Sequence, residues 1–176
     1  MRNELKHRKR QHRTEYDGSL RTNSITYCLQ LGFFAGLIWG LLRWILYLIH
    51  FTKVIPGFLA DPFFQQSFLK AGWGLMVGGS FYIVFSILAT FLYKLVLGWI
   101  PGPWPGLCYG LFWWVVLFVF VGPAIGLFKP IYAIGYDTIF TECALYIVWG
   151  LFIGYTIAFE YTDRSEEHTS ELQSQR

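Results

Sequence analysis

Residues 25–51 read ITYCLQLGFFAGLIWGLLRWILYLIHF. Arg43 is the one formal charge in an apolar run longer than the ~20 residues that a helix needs to cross a hydrocarbon core of ~30 Å. Three further runs of the same kind follow, at residues 68–97, 106–128 and 138–159. A chain crossing lipid has to satisfy its backbone hydrogen bonds internally, and a helix does so within a single segment. The expected fold is therefore all-α: a polytopic integral membrane protein whose residues 25–163 form a bundle of four transmembrane helices. Hydrophobic residues make up 55% of the chain and charged residues 14%, against ~25% charged in an average soluble domain. What remains outside the spans is too short for a separate soluble catalytic domain.

The first run is a membrane anchor rather than a cleaved signal peptide. A signal peptide carries ~7–15 apolar residues and a small-residue cleavage site, whereas this run closes on Tyr47, Leu48, Ile49 and His50. Before it, residues 1–24 hold Arg2, Lys6, Arg8, Lys9, Arg10, Arg13 and Arg21. A polar, charged segment of this kind is expected to be disordered, and short basic flanks stay on the cytoplasmic side. Four spans then return the C-terminus to the cytoplasm. Nucleic-acid binding is the sharper reading of such a tail. Topology accounts for the same residues, so no nucleic-acid partner is expected; weak attraction to anionic lipid fits either reading.

At the other end, Arg164 to Ser174 reads RSEEHTSELQS. This string resembles the in-frame translation of a common short-read sequencing adapter. Residues 164–176 are therefore expected to be adapter-derived, not native, and are excluded from functional argument.

Glycines recur at a spacing of four in every span: Gly32, Gly36 and Gly40; Gly74 and Gly78; Gly106 and Gly110; Gly122 and Gly126; Gly150 and Gly154. Residues i and i+4 share a helix face. Small residues there let two backbones approach, which matters where no hydrophobic effect separates helix from lipid. These glycines are expected to line helix contacts, within the chain or with another. Between the spans, Asp61 and Pro62 read as an N-cap and first helical residue, with Phe63, Phe64 and Phe68 at the interface. The run from Trp99 to Pro105 carries three prolines and reads as a tight cytoplasmic turn. Gly122-Pro123 is expected to kink or end the third helix, and Ile131 to Asp137 to form the second outer loop.

Arg43 is the most costly residue to place, at ~2.5–3.5 kcal/mol for a charge at a span centre. It lies roughly 7–8 Å toward the outer side of its span at 1.5 Å per residue. Glu142 falls at a similar outer depth in the fourth span, so the two are placed to pair. Gly36, Gly40, Arg43, Tyr47 and His50 share one face, which should point into the bundle. The functional reading is a buried polar site of Arg43, Glu142, Tyr47 and His50, with Thr141 beside them, that holds an anion, a lipid headgroup or a proton. The structural reading is that Arg43 snorkels to the interface or pairs with Glu142 to fix helix register. The isolated cysteines Cys28, Cys108 and Cys143 read as apolar filler. No catalytic pattern is present, so no catalytic, metal or cofactor-binding residue is expected and the chain reads as a non-enzyme.

Four stretches carry a family resemblance: Gly32 to Gly40, His50 to Lys53, Trp104 to Gly110 and Gly150 to Tyr155. Their content and order resemble the YqhR family of small membrane proteins from Bacillus-type bacteria. The resemblance implies a four-helix protein of the bacterial cytoplasmic membrane and transfers no activity or site residue. The expected function is that of a structural or accessory protein in contact with the lipid bilayer, acting through lipid, a membrane protein partner or a homo-oligomer. The alternative is a small transporter or channel-like subunit using the Arg43 and Glu142 region.

Overall fold

The computed structural model describes residues 24–100, 102–126 and 134–174, with side chains from Ile25 to Glu160. The basic tail of residues 1–23 and residues 127–133, which include the start of the expected second outer loop, lie outside the described residues. The architecture is all-helical among the described residues. Helix α1 is Ser24–Leu48, α2 is Gly72–Leu97, α3 is Trp104–Val115 and α4 is Tyr136–Ser174. After Val115, α3 continues through a π-helical segment, Val116–Val121, and a last turn, Gly122–Ala124. Four helices long and apolar enough to cross a membrane run over residues 25–48, 72–97, 104–124 and 136–160.

Most helix boundaries differ from the expected spans by two residues or more, and α4 runs on to Ser174 rather than ending at residue 159. Helix α1 stops at Leu48 rather than residue 51. His50 takes a left-handed backbone (φ 62), while the Phe51 N–H donates to Leu46 O at 2.9 Å and the His50 N–H to Tyr47 O at 3.1 Å. This pairing of six-to-one and five-to-two bonds around a left-handed residue is a Schellman cap. Asp61 does not cap the second span. It follows the 3-10 turn Phe58–Ala60, and its carboxylate accepts from Gln66 Nε2 at 3.0 Å. A separate turn, Gln66–Leu69, comes next. The chain then straightens at Ala71 (ψ 160), and α2 begins only at Gly72. Helix α3 starts at Trp104, before the expected Gly106, because Pro105 occupies the first turn where its missing N–H costs nothing. It ends at Ala124 because proline at 123 has no N–H to donate back to residue 119. The register loosens just before it: the Gly122 N–H reaches five residues back to Leu117 O. Gly126 then turns left-handed (φ 71). Gly122 and Gly126 therefore do not form a helix face, and that part of the glycine pattern is a helix stop instead.

Of the remaining glycines, Gly74 and Gly78 pack against the loop before α2, at Phe68–Leu69 and Gly57, rather than against a helix, while the others sort the bundle into two antiparallel hairpins. In the first, a Cβ on Gly32 would sit 2.6 Å from Ile87 Cα, and one on Gly36 2.7 Å from Ile83 Cα. The backbones of α1 and α2 touch there without room for a methyl group. In the second, a Cβ on Gly106 would lie 2.6 Å from Gly150 O, one on Gly110 would collide with Tyr146 O, and one on Gly154 would lie 2.5 Å from Gly106 Cα. Gly40 differs, since its Cβ would meet Tyr82 at an ordinary 3.6 Å.

Large side chains fill the seam between the hairpins. Trp149 stacks on Phe85 (5.6 Å between centroids), and Tyr109 lies edge-on to Tyr93 (5.0 Å). Hydrogen bonds cross the same seam: Tyr27 Oη to Thr156 O (3.0 Å), Tyr109 Oη to Ala89 O (2.7 Å) and Trp149 Nε1 to Ser86 Oγ (3.1 Å). Each hairpin is thus closed by backbone proximity, and the two are joined by aromatic area and polar bridges.

Candidate functional site

The end of this seam nearest the α1–α2 connection holds the buried charges among the described residues. Arg43 is 1% exposed and Glu142 is 0% exposed. Arg43 Nη2 lies 2.6 Å from Glu142 Oε2, joining α1 to α4. Both residues sit where a span's interior face demands small or apolar neighbours. The inward face of α1 is Cys28, Leu31, Ala35, Trp39 and Arg43, at spacings of three and four. On α4 it is Thr138, Glu142, Leu145, Tyr146, Trp149, Ile153 and Ile157.

Three aromatic rings surround the guanidinium. Its Cζ is 4.9 Å from the Phe58 centroid, 5.2 Å from Tyr146 and 5.3 Å from Tyr82. A desolvated cation–π contact is worth ~2 kcal/mol, so the box offsets part of the cost of withdrawing Arg43 from water. The carboxylate is held from the other side. Thr52 Oγ1 donates to Glu142 Oε1 at 2.6 Å, and the Thr52 hydroxyl accepts from the Val54 N–H at 3.2 Å. The next residue, Lys53, donates its N–H to Thr138 Oγ1 at 3.3 Å. Glu142 is thereby shared between α1, its own helix and the loop that follows α1. The Tyr146 hydroxyl lies beside the Arg43 guanidinium and can accept from it.

Of the residues read from sequence as one site, the structure brings Arg43 and Glu142 together. His50 is exposed and belongs to the helix stop described above, not to the site, because its left-handed backbone turns the chain away from the α1 face. Tyr47 is half-buried and lies one turn beyond Arg43, outside the aromatic box. Thr141 is also only half-buried, and Thr138 takes the inward position on α4 instead. Sequence reasoning passed over Thr52, Phe58, Tyr82 and Tyr146. Two of these left a trace. Tyr82, Ser86, Thr90 and Tyr93 repeat at spacings of four and three along α2, which marks an interior face, and Tyr146 is one turn from Glu142. Thr52 and Phe58 left none, because they lie in a loop that periodicity does not reach.

That loop is re-entrant. Thr52, Val54, Phe58 and Ala60 are buried, and the Gly57 backbone packs on Gly78, where a side chain would collide with it. Gly78 is six residues into α2, or ~9 Å below its start. Non-helical backbone at such depth is tolerated only where protein covers it, and Phe58 against Phe118 (6.0 Å) provides that cover from α3.

Comparison with known proteins bears on the whole chain. The family described as "Conserved membrane protein YqhR" matches residues 4–172. The chain is 35% identical over 136 residues to "Uncharacterized protein YqhR" of Bacillus subtilis (strain 168), which covers 77% of this chain and 76% of that protein. No solved structure matches.

Proposed function

The chain belongs to the YqhR family of conserved membrane proteins, and from that premise we propose that it is a non-enzymatic structural or accessory protein of the bacterial cytoplasmic membrane. In this reading both termini are cytoplasmic, and the protein acts through lipid or a membrane protein partner. One observation carries it. The bundle's charged pair is sealed inside and engaged by its own side chains, at 1% and 0% exposure, while the apolar faces of the spans point outward. Only 28–44% of each span's most apolar window is buried within the chain. The chemistry is therefore turned inward, and the surface on offer is for lipid or another helix. The ion pair serves as a register lock between hairpins, a role better attested for buried charge pairs than net stabilisation.

The test is crosslinking and affinity purification from native membranes, using the chain cut at Asp163. A defined partner should co-purify with the wild-type chain and with an Arg43→Leu, Glu142→Leu double variant. Self-contacts alone would remove the accessory role and leave a homo-oligomer. One observation favours a second reading, a small transporter or channel-like subunit: Arg43 and Glu142 are ionisable side chains buried within spans, a placement that often marks an ion or solute path. In that case the double variant, still inserted, should lose ion or solute flux in proteoliposomes.

A further inference from the structure

Helix α1 carries a second regular face, opposite the one that packs into the bundle. Gln30, Phe34, Leu37, Leu41, Trp44 and Leu48 follow one another at alternating spacings of four and three. At ~3.6 residues per turn they fall within about 40° of one line along the helix. All six are exposed, whereas Leu31, Ala35, Trp39 and Arg43 on the other side are buried. Strict alternation of three and four is the seam of a coiled coil, narrower than the stripe with which a helix sits on a core. The apolar members of such a face can rest on lipid, but Gln30 fits lipid badly. It is the only amide side chain in the four spans, and it makes no hydrogen bond among the described residues. The membrane-crossing stretch Ile25–Leu48 has 24 residues, or ~36 Å against a core of ~30 Å. Centred in the bilayer, it puts Gln30 roughly 5 Å inside the hydrocarbon, where an amide is costly unless it is bonded.

We propose that α1 pairs along this face with α1 of a second copy of the chain, the two Gln30 amides hydrogen-bonded to each other across the two-fold axis. A primary amide is self-complementary: its N–H donates to the partner's carbonyl and its own carbonyl accepts in return. Copies of one chain insert in the same sense. A two-fold axis along the membrane normal therefore sets the helices parallel and brings each seam residue opposite its counterpart. Gln30 thus gains from an identical group the partner that its own chain lacks. A single amide in an otherwise apolar seam also fixes register, because a slip along the helix sets it against an apolar side chain and strands both amides. The dimer uses only the outward face of α1, so it goes beyond the accessory role proposed above and does not depend on it.

Disulfide crosslinking of the full chain, in native membranes and in vesicles of phosphatidylethanolamine and phosphatidylglycerol, tests this. Cys28→Ala, Cys108→Ser and Cys143→Ala remove the native thiols. Single cysteines are then introduced as Leu37→Cys or Leu41→Cys on the seam and as Ile38→Cys or Leu42→Cys beside it, all at exposed positions. Positions 37 and 41 should crosslink to a second copy, and positions 38 and 42 should not. Dilution of fluorescently labelled chain into excess lipid measures the affinity. Gln30→Leu should weaken the dimer about five- to thirtyfold, the equivalent of one interhelical hydrogen bond in lipid, and Gln30→Asn, which keeps the amide, should retain most of the affinity. Both variants should still fold, because residue 30 faces away from the core. Equal crosslinking at all four positions would reflect random collision and overturn the seam. A dimer that Gln30→Leu leaves unchanged would overturn the amide pair. A monomer at every dilution would mean that Gln30 reaches the headgroups instead, and capture of a different protein at position 37 would give the face another occupant; either result would overturn the proposal.

Discussion

At the scale of single residues, Arg43 and Glu142 show how a membrane interior changes what a charge can do. In contact at 2.6 Å and nearly without exposure, neither has solvent to fall back on. Removing one partner leaves the other buried and unpaired, which costs about 3–5 kcal/mol, whereas replacing both by apolar residues is close to neutral. Glu142→Leu and Arg43→Leu should each lower stability by about that amount, and the double variant should recover most of it. Reversible unfolding of the four chains in mixed micelles, read as a double-mutant cycle, checks this; additive losses would mean that the charges do not act as a pair. His50 offers the opposite case. A left-handed state costs a residue with a Cβ about 1–2 kcal/mol, and His50 carries no site contact that glycine would lose. His50→Gly should raise stability by up to about that amount in the same assay. Equal or lower stability would show that the imidazole contributes something the Schellman cap does not explain.

At the scale of elements, spacing alone treats all the glycines as equivalent, and packing separates them. Gly110 faces the Tyr146 backbone with no room for a Cβ, whereas Gly40 faces only a ring at 3.6 Å. Gly110→Ala forces α3 away from α4 and should destabilise the bundle by about 1–3 kcal/mol, the usual range for overpacking. Gly40→Ala should be neutral, or gain up to about 1 kcal/mol from helix propensity. Thermal aggregation of the detergent-solubilised variants ranks them, and equal losses at both positions would contradict the hairpin contacts described. The helix ends divide in the same way. The stop near Gly122-Pro123 was legible because proline lacks a donor wherever it sits. The break before Gly72 was not, because Asp61-Pro62 has the chemistry of an N-cap but lies in a chain that turns inward to pack on α2 instead of starting it.

At the scale of the whole molecule, the proposed topology puts both termini in the cytoplasm, because an even number of spans returns the chain to its starting side and the basic residues before α1 favour that side. A fluorescent reporter that matures only in the cytoplasm should glow when fused at either end, and a periplasmic phosphatase fused after Lys53 should be active; the reverse pattern would invert the topology. Sequence by itself determined the class of this protein, its four spans and the similar depth of Arg43 and Glu142 in theirs. Each of these follows from local quantities: apolar run length against bilayer thickness, and rise per residue along a helix. Tertiary structure alone decided which helices pair, that Gly40 is spare while Gly110 is not, and that residues 52–60 fold back into the bundle to place Thr52 on Glu142 and Phe58 over Arg43. Those outcomes depend on what lies across a gap between distant segments. A short irregular loop carries no period from which such a neighbour could be read, and a lipid-facing glycine and a packed one are the same letter until the facing helix is in place.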